Sequence, residues 1–497
     1  TGWKAWVMSR RQRGVPVTVR ALAPGPLLIT ILATLVVAGC AHVIQGRPVS
    51  VFADPFRVAG MPATDGPSGL RSDAAPPTRN VTNTDDGDID ELARQAISDV
   101  EQFWSSTYPS TFPGKFRPVR DLLSWDARDF ANVGFCGDIT FTFVNAGYCH
   151  DDRTIGWDRG ILLPALRRAY GDMGVVMTLA HEYGHSVQFQ SGLLSKDSPT
   201  LVAEQQADCM SGAYMRWVAE GNSPRFTLST SDGLNNVLAA VISFRDPVLN
   251  EGDPTAGMDE HGSAFERVSA FQFGFTEGAE ACRSIDLREI DQRRGPLPMV
   301  LPEYATGELP VSERSVRDIV EALETAFTPA DPPGLLFEPV ECPDARPSPP
   351  VSYCPATNTI TVDLPGLEAL AARTDDGDAV SLATGDNVAY SVLMSRYMQA
   401  IQREHGGVAL DDAKAALRTA CLTGVATTRL AEETPTPTGT TVMLTAGDID
   451  EAVSGILTNG LAASDVNGES VPSGFARIDA FRVGVLGDEE RCFKRFS

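Results

Sequence analysis

The sequence predicts an α+β protein that is mostly helical and in which one domain occurs twice. Apolar residues recur at helical spacing from Asp88 to Phe103 and again from Val175 to Val187. Between these helices, around residues 135–149, apolar residues alternate with others as in a hairpin or short sheet. The second half of the chain repeats the order of these features.

Length and charge limit the class of protein. A chain of 497 residues is long enough for two or more domains, each with its own core. The net charge of −24 argues against nucleic acid as a partner and fits a soluble body that has been exported.

The N-terminal segment has the pattern of a targeting signal. Arginines from Arg10 to Arg20 precede an apolar run at residues 27–37. The run closes with Val37-Ala38-Gly39-Cys40, which resembles the lipobox of bacterial lipoproteins. We therefore expect residues 1–40 to be a signal peptide, with Cys40 lipidated on the extracytoplasmic face of the cell membrane. An uncleaved anchor helix is the alternative, although a bilayer span needs about 20 apolar residues.

Proline and acidic clusters mark the connecting segments. Residues 41–87 are predicted to form a flexible tether, because they contain several prolines and the Asp85-Asp86-Gly87 cluster. A helix begins at Asp88, and the first domain is expected over residues 88–285. Residues 286–335 are predicted to be a linker containing a helix near residues 312–327, and the second domain to span residues 336–497.

The main functional signal is the HExxH pattern formed by His181, Glu182 and His185. On a helix, histidines four residues apart share one face, so both imidazoles can reach one zinc ion. Glu182 beside them can act as a general base toward water. A chance HExxH on a structural helix is the alternative, although the chain has only six histidines.

A third ligand is predicted on the following helix. Glu204 and Asp208 also lie four residues apart, and catalytic zinc takes three protein ligands. Glu204 would complete that set, and Asp208 would hydrogen-bond a ligating histidine and fix its tautomer. The alternatives are a solvated carboxylate for Glu204 and a capping or salt-bridge role for Asp208.

The order HExxH then ExxxD resembles the gluzincin metallopeptidases. With His261-Gly262-Ser263, Arg267 and the run Phe271–Phe275, the chain is similar to a bacterial family of neutral zinc metallopeptidases over roughly residues 130–285. The resemblance implies a zincin-like first half, one zinc ion per chain, and a membrane-attached or exported enzyme that cleaves peptide bonds. It also implies that His261 stabilises an oxyanion. Asp259, two residues before His261, is a candidate to orient that histidine. An ordinary loop histidine is the alternative.

An internal comparison aligns the two halves. Tyr148-Cys149 matches Tyr353-Cys354, and Arg267 matches Arg477. Ser395, Arg396 and Gln399 align with His181, Glu182 and His185. Ala416, Ala420 and Val471 align with Glu204, Asp208 and His261. The second half is therefore predicted to be a degenerate copy without metal. Because Arg267, Gln188 and Tyr183 have identical counterparts there, they are predicted to be structural.

Eight cysteines remain besides Cys40. Eight cysteines allow about 105 pairings in general, but a duplication requires bonds at equivalent positions. The predicted pairs are Cys136–Cys149 with Cys342–Cys354, and Cys209–Cys282 with Cys421–Cys492. Export to an oxidising compartment favours such bonds. A metal site formed by Cys136, Cys149 and His150 is the alternative.

These observations predict a membrane-anchored, extracytoplasmic zinc metallopeptidase whose substrate is a peptide or protein. Glu182 is the expected general base, and His181, His185 and Glu204 are the expected zinc ligands. The alternative is a non-catalytic surface lipoprotein in which both halves serve as binding or scaffold modules. The confinement of the proposed chemical residues to one half argues against that alternative.

Overall fold

Helices make up most of the described fold, and each half of the chain also contains a small three-stranded sheet. The computed structural model describes residues 54–130, 133–195, 197–253, 261–373 and 380–497. Cys40 and the apolar run at residues 27–37 lie outside the described residues. The predicted α+β class is confirmed.

The first half begins with short strands and one long helix. These elements are β1 (Arg57–Val58), β2 (Met61–Pro62), β3 (Gly69–Leu70), α1 (Asp88–Thr111), β4 (Asp121–Trp125), β5 (Gly134–Phe135), β6 (Asp138–Ile139), β7 (Ala146–Cys149) and β8 (Thr154–Asp158). Helices then dominate: α2 (Leu162–Ser191), α3 (Thr200–Ala219), β9 (Phe226–Thr227), α4 (Asp232–Ser243), β10 (Leu249–Asn250) and α5 (Ala264–Glu277).

The remaining elements repeat that order after a short connection. The connection contains α6 (Leu287–Arg294) and β11 (Val300–Leu301). The second half contains α7 (Glu313–Phe327), β12 (Gly334–Leu336), β13 (Val351–Cys354), β14 (Thr359–Val362), α8 (Leu364–Leu370), α9 (Asp386–His405), α10 (Ala413–Leu430), β15 (Thr434–Pro435), β16 (Thr441–Val442), α11 (Asp448–Thr458), α12 (Gly474–Val485) and α13 (Glu489–Arg495).

Both three-stranded sheets have the same topology. In the first half β8 lies between β4, which is parallel to it, and β7, which is antiparallel. In the second half β14 lies between β12 and β13 with the same orientations. Tyr148 pairs with Ile155 and Tyr353 with Ile360, so residues aligned by sequence occupy matching register positions.

Helix α2 is buried along most of its length. Val175, Val176 and Leu179 are fully buried, and burial of each such side chain contributes about 1.5–3 kcal/mol. The helix is kinked at Gly171, where φ is 71°, a conformation that favours glycine. In the second half α8 and α9 are separate helices, and Gly385 immediately precedes α9.

The packing of α3 on α5 recurs between α10 and α12. At Gly212 and Gly274 the two helices approach so closely that a Cβ atom would overlap the partner backbone. The same holds at Gly424 and Gly484 in the second half. A disulfide also links α3 to the turn that follows α5, through Cys209–Cys282, and another links α10 to α13, which follows α12, through Cys421–Cys492.

All four disulfides join the predicted cysteines. Besides the two bonds just described, Cys136 is bonded to Cys149 and Cys342 to Cys354. The alternative in which Cys136, Cys149 and His150 bind a metal is therefore wrong. His150 instead stacks on Phe189, with 4.0 Å between ring centroids.

The segment from residue 54 to residue 87 differs from the flexible tether predicted for residues 41–87. Leu70 of β3 pairs with Phe226 of β9, and the Arg71 amide donates to the Arg225 carbonyl. The Thr64 amide donates to Thr230 Oγ1 over 2.9 Å. These bonds to the folded chain hold the segment in place, and proline content alone does not predict them.

The linker predicted for residues 286–335 is also largely part of the fold. Helix α7 falls where a helix was predicted, and it packs against α9 as α1 packs against α2. Strand β12 completes the second sheet. The second half therefore begins near Ser312, which caps α7, and not at residue 336.

The two halves contact each other through α4, α5, α11 and α12. The Phe265 amide lies 3.3 Å from Asp450 Oδ1, and Gln272 Nε2 donates to the Phe475 carbonyl over 3.0 Å. Within the described ranges, no helix is both long enough and apolar enough to cross a membrane.

Candidate metal centre

Helices α2 and α3 bring His181, His185 and Glu204 together. His181 Nε2 lies 3.1 Å from Glu204 Oε2, and His185 Nε2 lies 3.5 Å from Glu204 Oε1. One ligand atom from each residue lies within 4.8 Å of the others, so the three could hold one metal ion. Gly184 lies against the backbone of Ala207, and the absence of a side chain there lets the two helices come this close.

Both histidines turn their Nε2 atoms toward Glu204 because their Nδ1 atoms have other partners. His181 Nδ1 lies 2.8 Å from Asp208 Oδ1. His185 Nδ1 lies 3.0 Å from Gln188 Oε1, and Gln188 Nε2 donates to the Ala203 carbonyl. Since these oxygens can accept a hydrogen bond from Nδ1–H, a neutral imidazole at either position would present its Nε2 lone pair to a metal.

Asp208 is itself held by Arg267. Arg267 Nη2 donates to Asp208 Oδ1 over 2.8 Å, and Nη1 donates to the Phe244 carbonyl at the end of α4 over 3.0 Å. Its counterpart Arg477 donates to the carbonyls of Ile456 and Leu457 at the end of α11. Arg267 thus has the structural role that was predicted and, in addition, orients the carboxylate behind His181.

Electrostatic effects at the site favour a positive charge. Burial lowers the pKa of His181, but Asp208 and Glu204 outweigh it and raise that pKa to about 10. Burial would raise the pKa of Glu204, yet the surrounding histidines hold it well below 4.5. The carboxylates therefore stabilise positive charge where the three ligand atoms meet.

Glu182 lies on the same helix and is only partly buried. Desolvation raises the pKa of its carboxyl, while the adjacent His181 and His185 oppose that shift. A carboxyl group in such surroundings is suited to accept a proton from water and release it later.

His261 also faces the candidate centre. Its Nε2 lies 4.0 Å from Glu204 Oε2, and its Nδ1 lies 3.2 Å from Asp246 Oδ1. Asp246 Oδ2 accepts the Gly262 amide over 2.8 Å, which fixes the loop that carries His261. Asp246 was not identified from the sequence, because it lies 15 residues earlier in a loop that has no motif. Asp259, the earlier candidate, is outside the described residues.

The equivalent position in the second half is filled by other side chains. Arg396 is fully buried and donates to the Leu461 carbonyl and to Ser464 Oγ. Gln399 Nε2 donates to the Ser464 carbonyl over 3.1 Å. The residues aligned with Glu182 and His185 are therefore hydrogen-bonded to a turn at residues 461–464.

Comparison of the chain with family models, curated proteins and solved structures gave no match. Two other groups of described residues have ligand atoms close enough to share a metal ion. One contains Cys342 and Cys354, which are bonded to each other, and the other is made of Glu308, Asp386 and Glu451. The group on α2 and α3 is the one that contains nitrogen ligands.

Proposed function

We propose that the protein is a zinc-dependent peptidase whose metal ligands are His181, His185 and Glu204. The observation that carries the proposal is the convergence of these three ligand atoms within 4.8 Å, with a hydrogen-bond acceptor behind each imidazole. Two imidazole nitrogens and one carboxylate match the ligand set of catalytic zinc sites. Such a set leaves a position open for the reacting water.

The residues fit zinc better than a hard cation such as calcium. Imidazole nitrogen is a common ligand for zinc, whereas calcium takes oxygen ligands. Asp208 and Gln188 fix the orientation of the two imidazoles through their Nδ1 atoms, as groups behind the ligands do in zinc sites. This support is independent of the spacing of the HExxH pattern.

The side chains around the ligands would divide the reaction between them. When bound, zinc would supply the Lewis acidity that activates water and polarises the scissile carbonyl. Glu182 would take a proton from the attacking water and pass it to the leaving amine. His261 Nε2 would donate a hydrogen bond to the negative charge that develops on the carbonyl oxygen. Asp246 would keep the His261 ring in the required orientation.

The decisive variant is Glu182→Gln, which keeps the size of the side chain but removes the base. We expect zinc content to be unchanged and hydrolysis of a peptide library to fall by about 100-fold or more. Glu277→Gln, at an exposed position at the end of α5, is the matched control. Equal hydrolysis by both variants would favour the non-catalytic surface lipoprotein.

We also propose that the enzyme is exported and anchored through a lipid on Cys40. Four disulfides support an oxidising compartment. Cys40→Ala should release the protein from the membrane fraction and abolish labelling with a radioactive fatty acid. Retention of either property in that variant would exclude the proposed anchor.

The second half is best explained as a degenerate copy of a zincin-like first half. The matching sheet topology, the glycine contacts between helices and the equivalent disulfides support a duplication. Arg396 and Gln399 hydrogen-bond to the turn at residues 461–464, so the copy would not bind zinc. Its contacts with α5, such as that of Gln272 with the Phe475 carbonyl, would stabilise the catalytic half.

A further inference from the structure

A second group of carboxylates lies where the starts of α9 and α11 meet the segment that joins the two halves. Asp386 is the first residue of α9, Glu451 lies in the first turn of α11, and Glu308 comes from the segment between β11 and α7. One oxygen from each lies within 4.8 Å of the others. Asp386 and Glu451 are only 6% and 5% exposed.

The partners of these three carboxylates are mostly neutral backbone amides and include one arginine. Asp386 Oδ2 accepts the Leu309 amide and Glu451 Oε2 accepts the Asn387 amide, each over 2.8 Å. Glu308 pairs with Arg373, whose side chain is 61% exposed. Asp386 Oδ1 is buried and has no hydrogen-bond partner. A buried carboxylate oxygen without a partner costs free energy, which a cation at this position would offset.

The backbone is adapted to bring these carboxylates together. A Cβ atom on Gly385 would overlap the carboxylate of Glu451, so glycine at that position allows the close approach. In the first half, the residue equivalent to Asp386 is Asp172, which pairs with Arg167 and accepts the Leu70 amide. The carboxylate cluster is therefore specific to the second half and is not inherited from the repeated fold.

We propose that Glu308, Asp386 and Glu451 bind a calcium ion. All of the ligand atoms are carboxylate oxygens, which hard cations prefer, and neither nitrogen nor sulfur is present to select zinc or copper. Calcium accepts an irregular set of six to eight oxygens, whereas magnesium needs near-octahedral geometry and keeps several waters. The three residues come from separate segments, which suits the more tolerant ion.

Binding would connect three parts of the chain. Glu308 lies in the segment that joins the two halves, while Asp386 and Glu451 begin two helices that contact each other in the second half. A cation shared by them would fix the joining segment against the second half. The proposal does not depend on peptidase activity, and the ligands share no residue with the candidate zinc centre.

The test is calcium binding to the full chain after removal of calcium with EGTA, with zinc held constant. Isothermal titration with calcium chloride should show one site per chain, and the melting temperature should rise with calcium concentration. Magnesium chloride should bind at least tenfold more weakly. Asp386→Asn should abolish the heat signal and the shift in melting temperature, whereas Asp172→Asn at the equivalent position should keep both.

Glu308→Gln provides a second variant at a partly exposed position, in case Asp386→Asn does not fold. It should weaken calcium binding at least tenfold while the protein remains folded. Absence of calcium binding to the wild-type chain would overturn the proposal. Binding that persists unchanged in both variants would overturn it as well, because the ion would then lie elsewhere.

Discussion

Asp208 Oδ1 lies 2.8 Å from His181 Nδ1, and Asp208 is completely buried between α3 and its neighbours. Arg267 donates to the same oxygen, so a buried chain of polar groups runs from the end of α4 to the candidate metal centre. In the second half the position of Asp208 is taken by Ala420, and Arg477 binds backbone carbonyls alone. The carboxylate is thus found in the half that has the candidate ligands.

Replacing this carboxylate should weaken metal binding without removing a ligand. We expect Asp208→Ala to lower zinc affinity by about 10- to 100-fold, because His181 loses the acceptor that fixes its tautomer. Competition with a fluorescent chelator measures this affinity. Asp291→Ala, at an exposed position on α6, is the control. Equal affinity for both variants would show that Asp208 does not orient a ligand.

Asp246 should affect turnover more than metal binding. In Asp246→Asn the His261 ring loses its charged acceptor, and we expect kcat/KM for a peptide substrate to fall by about 10- to 100-fold. Zinc content should not change, since the side chain of Asp246 bonds to His261 and to the Gly262 amide and not to the three proposed ligands. The exposed neighbour Glu251→Gln is the control. Loss of zinc from Asp246→Asn would mean that His261 itself is a ligand.

The close contact of α3 with α5, and of α10 with α12, should make the protein sensitive to side chains added at the contact glycines. A Cβ atom at Gly274 would overlap the Cys209 carbonyl, and one at Gly484 would overlap the Cys421 carbonyl. Gly274→Ala and Gly484→Ala should each lower the free energy of unfolding by about 1–3 kcal/mol or more. Gly134→Ala, where the nearest atom lies at 3.7 Å, should have little effect. If either Gly274→Ala or Gly484→Ala were as stable as the wild type, the close helix packing in that half would be contradicted.

Asp479 should make the second half sensitive to acid. Burial would raise the pKa of this carboxyl, but Arg482 and Arg495 outweigh burial and lower it below the usual 3.8. A lowered pKa in the folded state adds stability above pH 3.8 that is lost as the pH falls through the folded value. Asp479→Asn should therefore lower the free energy of unfolding at pH 7 and show a flatter loss of stability below pH 4. Urea denaturation between pH 2.5 and pH 7 checks this, and parallel curves for both proteins would refute it.

Much of the fold follows from patterns that a sequence carries directly. The helices at Asp88 and around His181 are set by apolar spacing, and all four disulfides follow once the two halves are aligned. The contact of Asp208 with His181 also follows, because Glu204 and Asp208, four residues apart, share one face of α3. Regular elements fix which side chains lie together.

Contacts made by irregular segments were not predictable in this way. The segment from residue 54 to residue 87 is held by backbone bonds to β9 and to Thr230, which composition does not encode. Asp246 reaches His261 through a loop, and the carboxylates of Glu308, Asp386 and Glu451 come from three distant segments. No fixed spacing relates such residues, so three-dimensional packing alone reveals them.

The central claim is that the first half holds one zinc ion through His181, His185 and Glu204. Elemental analysis of the purified chain and of His185→Ala tests it most directly. We predict one zinc ion per chain in the wild type and loss of that zinc in the variant. A wild-type chain without zinc, or a variant that keeps its zinc, would contradict the claim, and two zinc ions per chain would show that the second half also binds the metal.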